Sequence, residues 1–225
     1  MKASALRRWL PALTFCAWGL AWLSLAAGVS ADDPAGNATV TYRKVFKSSY
    51  PEYVEIRISD SGSGTFDIRQ LNEESNPRAM HLDASLVATI FNLAAKLNDF
   101  KGVDLEMHRR IANLGQKTLS YSRGSESHQV TFNYTLNRDA VQLMTIFEGI
   151  ARQQTDLADL DRTMRYDPLG VNDVLLQVQK DLDQKLIPDP SAFLPSFDRL
   201  AADPHFINIA RDRARKLAAR IRTGS

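Results

Sequence analysis

The chain has 225 residues, is 44% hydrophobic and 24% charged, and carries 28 basic against 26 acidic residues. This globular balance excludes collagen, a disordered chain and a multi-span transporter. One cysteine and four histidines exclude a disulfide framework or a Cys-rich zinc module built from this chain alone.

Residues 1–31 open with Lys2, Arg7 and Arg8, continue through an apolar stretch from Trp9 to Ala27, and end in Gly28-Val29-Ser30-Ala31. The pattern reads as a secretory signal peptide, with cleavage expected after Ala31, ahead of the polar run Asp32-Asp33-Pro34. An uncleaved membrane anchor is the alternative, since the apolar stretch is close to the length of a bilayer span. A lipoprotein reading fails because Phe15 precedes Cys16, where a small residue is required. Cleavage would leave 25 basic and 26 acidic residues and remove Cys16 and all three tryptophans. The mature chain would then have no thiolate for catalysis or metal binding.

A linker from Asp32 to Ala38 leads to a strand predicted over Thr39 to Lys47. Val54, Ile56 and Ile58 then alternate with Glu55, Arg57 and Ser59, and Phe66 and Ile68 resume the alternation after the turn signal Asp60-Ser61-Gly62-Ser63-Gly64. A hairpin closing symmetrically about Gly62 sets Ile58 against Phe66, Ile56 against Ile68, Arg57 against Asp67 and Glu55 against Arg69. Asp83 or Ser85 can cap a helix whose apolar positions run Leu86, Ile90, Phe91, Leu93, Ala94 and Leu97. Gly115-Gln116-Lys117-Thr118 lacks the glycine spacing of a phosphate-binding loop and reads as a turn into a strand.

A second hairpin is predicted with Leu119 and Tyr121 on one arm, a turn at Gly124-Ser125-Glu126-Ser127, and Val130, Phe132 and Tyr134 on the other. Asn137 or Asp139 can cap the helix that follows, with Leu143, Met144, Phe147 and Ile150 on one face and an extension through Leu157, Leu160 and Met164. Thr65-Phe66-Asp67-Ile68 parallels Thr131-Phe132-Asn133-Tyr134, and Thr89-Ile90-Phe91 parallels Thr145-Ile146-Phe147, the marks of a repeated hairpin-helix unit. Beyond Tyr166-Asp167-Pro168-Leu169-Gly170 only helices are expected: one over Val174 to Leu186, a short one over Phe193 to Leu200, and a last one opened by Pro204. The fold class is therefore α+β. Two β-hairpins and an N-terminal strand are packed by two helices over residues 39–155, and a small all-helical segment occupies 156–225.

The chain holds no His-Glu-x-x-His, Gly-x-Ser-x-Gly or dinucleotide fingerprint, so no catalytic residue, metal or cofactor is assigned. His81, His108, His128 and His205 are scattered and read as surface or turn residues. Asp156, Asp159 and Asp161, with Asp181 and Asp183, could perform acid–base work only if they faced a cleft, and otherwise form a solvated face. His108, Arg109, Arg110, Lys117 and Arg123 surround the entry to the second hairpin as a candidate anion-binding patch. Arg211, Arg215, Lys216, Arg220 and Arg222 make the last helix a candidate basic surface for anionic lipid or cell-wall polymer, or merely a complement to its own C-terminal dipole. Asn37-Ala38-Thr39 and Asn133-Tyr134-Thr135 match the glycosylation sequon.

Taken together, Tyr53-Val54-Glu55-Ile56-Arg57, Phe66-Asp67-Ile68-Arg69-Gln70-Leu71, Phe132-Asn133-Tyr134-Thr135 and Tyr166-Asp167-Pro168-Leu169-Gly170-Val171 resemble a family of exported bacterial proteins of unknown function. The hairpin-helix-hairpin-helix order over Val54 to Ala151 is also similar to secreted protease-inhibitor domains of the emfourin type. The expectation is an exported, non-enzymatic binding or scaffold protein of the bacterial envelope, periplasmic or extracellular. Its partner would be a protein or another envelope component, and export argues against nucleic acid. One alternative is an inhibitor or regulator of a secreted enzyme acting through the loops Asp60 to Gly64 and Gly124 to Ser127. Another is a hydrolase using carboxylates and His108 in a groove between sheet and helices.

Overall fold

The computed structural model describes residues 36–224, so the predicted signal peptide and its cleavage site lie outside the described residues. Six strands form one antiparallel sheet: β1 (Thr39–Val45), β2 (Tyr53–Ser59), β3 (Ser63–Arg69), β4 (Arg78–His81), β5 (Gln116–Arg123) and β6 (Glu126–Phe132). Their spatial order is β4-β3-β2-β1-β5-β6, which places the N-terminal strand in the centre, joining the two hairpins. Five α-helices follow the apolar spacing, the first two with side-chain caps from Asp83 and Asn137: α1 (Ala84–Lys96), α2 (Arg138–Tyr166), α3 (Val171–Asp183), α4 (Leu194–Ala202) and α5 (Asn208–Thr223). The fold is α+β, with a helical C-terminal part.

One sheet face is apolar and covered by helices, while the other is rich in Thr, Ser and charge, the usual division for an antiparallel sheet. Val40, Tyr42, Ile56, Ile58 and Leu119 are fully buried against Ile90 of α1 and Leu143, Phe147 and Ile150 of α2. A second core gathers Leu160 of α2 with Val171, Leu175 and Val178 of α3, the stacked pair Phe193 and Phe197, and Ala210 and Ala214 of α5. Burial of each large apolar side chain in either core contributes about 1.5–3 kcal/mol. Between the two cores α2 carries a buried polar band, Gln153 and Asp156. The helix runs unbroken through residue 156, turning one face to each core.

Three expectations are corrected. The first hairpin pairs Ile58 with Gly64, Ile56 with Phe66, Glu55 with Asp67 and Tyr53 with Arg69, two residues away from closure about Gly62. Gly62 takes the left-handed conformation (φ +85°) at the end of the loop, with its N–H bonding to the Ser59 carbonyl. Only glycine fits at position 64, where a Cβ would fall 2.3 Å from the Arg57 carbonyl oxygen. The slip keeps every side chain on its expected face but brings Glu55 and Asp67 opposite each other. The charges are satisfied along the strands instead, by Arg57 on Glu55 at 2.9 Å and Arg69 on Asp67 at 3.0 Å.

The second correction is the turn at Gly124-Ser125, which is shorter than expected, so that Glu126 and Ser127 already pair with Arg123 and Ser122. The third concerns Pro204, which lies in a turn ahead of α5. Asp203 accepts the His205 N–H there at 2.9 Å, and the helix opens only at Asn208. The edge strand β4 has no sequence signal, because Arg78-Ala79-Met80-His81 shows neither clear alternation nor β-branched residues.

Candidate functional site

At the end of the sheet where β2 begins and β3 ends, a cleft of about 500 Å³ opens between the strands, the β1–β2 loop, α2 and α3. Lys44 and Val54 come from the sheet, Tyr50 from the loop, Glu148, Ala151, Arg152 and Asp156 from α2, and Gln177 and Asp181 from α3. Each side chain arrives by simple periodicity. On the covered face, Lys44 follows Val40 and Tyr42 at intervals of two, where β1 runs out from under the helices. On α2, Gly149, Gln153, Asp156, Leu160 and Thr163 recur at intervals of four and three, a stripe aimed at α3 and the loop behind it. Gly149 belongs there because a Cβ would meet the Leu186 carbonyl oxygen at 2.9 Å.

The polar groups of the cleft are largely paired. Tyr42, fully buried, stacks on Phe147 with ring centroids 5.3 Å apart and donates its hydroxyl to Glu148 Oε1 at 3.2 Å. Burial first, then the Glu148 charge, pushes its phenol well above the usual range. Lys44 Nζ reaches the same Glu148 oxygen at 2.9 Å. Arg69 lies 4.3 Å over the Tyr53 ring and donates to Asp67 and to the Gln70 and Glu73 carbonyls. Tyr50, 92% exposed, stands at the mouth.

The exception is the acidic pair. Asp156 and Asp181 are both buried, and both line the cleft where α3 packs on α2. Arg152 approaches Asp181 at 3.5 Å, and Gln177 donates to Asp181 at 3.1 Å. Asp156 Oδ2 is enclosed with no donor. Burial, then the neighbouring Asp181, drives the Asp156 carboxyl up to about 7, against the opposing pull of Arg152. The expectation of a solvated acidic face thus applies to Asp159 and Asp161, which pair with Arg162 and Arg165 at the surface, but not to Asp156 and Asp181. A sequence signal for the pair exists: each sits within the apolar stripe of its helix, one turn from Leu160 in one case and beside Leu182 in the other.

The remaining candidate residues lie elsewhere. Lys117 is buried, with its ammonium donating to the carbonyls of Leu114, Gly115 and Asn133 at 2.8–3.2 Å. Burial, then the Lys44 charge, holds its pKa below the usual lysine range. It closes a loop and is removed from the anion-binding patch. Arg123 is at the far end of β5, roughly 20 Å from Lys117 by strand rise, with its guanidinium 5.9 Å from the Tyr121 ring centroid. His108, Arg109 and Arg110 are exposed in the connection between α1 and β5, and His108 bonds Asp104 at 2.7 Å, which raises the imidazole's pKa. Arg123 is thus set apart from Lys117, and His108 does not line the cleft.

The basic helix α5 is engaged mainly within the helical array. Arg220 pairs with Asp183 of α3, Arg222 holds Asp198 of α4 at 2.6 and 2.7 Å, Arg215 pairs with Asp212, and Arg211 donates to the Ala201 carbonyl at 3.3 Å. Lys216 is exposed. Of the two hairpin loops, Asp60–Gly62 is pinned to the start of α1, where Leu82 N–H bonds the Gly62 carbonyl at 3.0 Å. At the Gly124 turn no neighbouring atom lies within 4 Å of where a Cβ would stand, although Gly36 packs beside its backbone. Among the described residues no group of three or more His, Cys, Asp or Glu could hold a metal, and no helix is long and apolar enough to cross a membrane. No protein-family model matches the chain, and no curated protein matches it.

Proposed function

We propose an exported, non-enzymatic binding protein of the bacterial envelope whose ligand site is the cleft between the open end of the sheet and α2–α3. The observation that carries it is the construction of that cleft: sheet, loop and two helices each contribute a polar side chain, and those from the sheet and helices are already held in place by Tyr42–Glu148–Lys44 and Arg152–Asp181. Preorganised donors and acceptors beside an exposed aromatic ring suit a small polar ligand with an apolar face. Export rests on the N-terminal pattern of basic, apolar and small residues.

A library of polar metabolites and cell-wall fragments, screened by thermal shift, tests the site. Compounds that raise the melting temperature of the wild type are expected to lose that effect in Ala151→Trp, whose indole would fill the cleft. Ligands that stabilise the two proteins equally would place the binding elsewhere. A hydrolase is favoured by one observation, a buried carboxyl in the cleft, Asp156, whose Oδ2 has no donor and whose pKa burial raises. Turnover abolished by Asp156→Asn would select it over the binding reading.

A further inference from the structure

We propose that Asp156 and Asp181 form a proton-operated clasp between α2 and α3, closed when the two carboxyls share one proton and loosened when both are ionised. The pair joins the helix that crosses both cores to the first helix of the C-terminal array. Both side chains are enclosed, Asp156 being 9% and Asp181 1% exposed. One cation serves the pair, Arg152, whose guanidinium reaches Asp181 at 3.5 Å. Fully ionised, the three groups sum to −1 in a poorly solvated place; with one proton they sum to zero. The proton also supplies the hydrogen bond that Asp156 Oδ2 otherwise lacks.

Other groups around the clasp do not replace that proton. From α3, Gln177 gives its amide to Asp181. From α2, Asp159 adds negative charge and is paired outward with Arg162. Across the cleft Lys44 is held by Glu148, and Arg69 by Asp67. Glu73 and Arg78 line the far wall, and Arg78 lies over the Phe66 ring at 4.7 Å. Behind the pair, the Asp181 carbonyl accepts the Leu186 N–H at 2.9 Å, and Gln153 accepts the Asp189 N–H at 3.0 Å. The clasp therefore sits on the same seam that anchors the loop after α3, and its state sets how firmly the α2 and α3 walls of the cleft are held together. This stands whether or not the cleft binds a ligand.

The sign follows from proton linkage. An aspartate whose folded pKa is raised binds its proton more tightly in the native state, so the stabilisation is full below the unfolded pKa near 4 and is lost as pH rises to about 7. Asp156→Asn keeps a donor toward Asp181 and removes the titration. In melts by circular dichroism, the advantage of Asp156→Asn over wild type is expected to widen by about 3–8 °C between pH 4.5 and pH 8. A constant difference across that range would overturn the proposal. Carbon-13 NMR of wild-type aspartate carboxyls provides a second measurement that needs no variant. One aspartate carboxyl resonance titrating near neutrality, that of Asp156, is expected, and uniform titration of all aspartates below pH 5 would sink the clasp.

Discussion

At the residue scale, single atoms decide the alignment of the first hairpin. Alternation alone permits closure about Gly62 or two residues away, because both keep Ile56, Ile58, Phe66 and Ile68 on the covered face. The choice is made by Gly64, whose missing side chain lets the Arg57 carbonyl and the Ile58 side chain approach. Gly64→Ala is expected to lower stability by about 2–4 kcal/mol, as an overpacked site that backbone cannot vacate. Gly124→Ala is the control. Its φ is +56° but its surroundings are open, so the loss should be about 1 kcal/mol, from backbone conformation alone. Chemical denaturation of both variants checks the ordering, and equal losses would mean that close approach at Gly64 does not set the register.

At the element scale, α2 is the member on which the rest depends. Asn137 caps it by accepting the Ala140 N–H at 3.1 Å, and the helix runs for 29 residues to its end at Tyr166. Along its length it supplies Phe147 to the sheet core and Leu160 to the helical core, both fully buried. A helix shared in this way couples the two cores, since neither can lose it without exposing apolar surface in the other. Phe147→Ala and Leu160→Ala should each lower one common thermal transition, by roughly 3–5 and 2–5 kcal/mol respectively. Far-ultraviolet and tyrosine near-ultraviolet signals are expected to coincide in both variants. Two separated transitions in Leu160→Ala would show instead that the helical array melts independently.

At the scale of the whole molecule, the working protein is expected to be shorter and less basic than the encoded chain. If export removes residues 1–31, intact mass of protein recovered from the envelope fraction should correspond to a chain starting at Asp32, and full-length mass would favour the anchored alternative. The order of elements is readable in the sequence because it is local. Asp83 and Asn137 announce helix starts, Pro168 and Gly170 end α2, and period-two alternation marks β2, β3 and β5. Relationships between distant residues are not readable there. Nothing near Thr39–Val45 reveals that this strand lies between β2 and β5, and β4 is a strand only because β3 offers it an edge. Lys117 looks like a surface cation until the carbonyls of Leu114 and Asn133 fold over it. Asp156 and Asp181, 25 positions apart, look like solvated charges. Helix periodicity can place each on a buried stripe, but only the packing of α3 on α2 brings the two carboxyls together, because charge proximity and desolvation are properties of the folded chain.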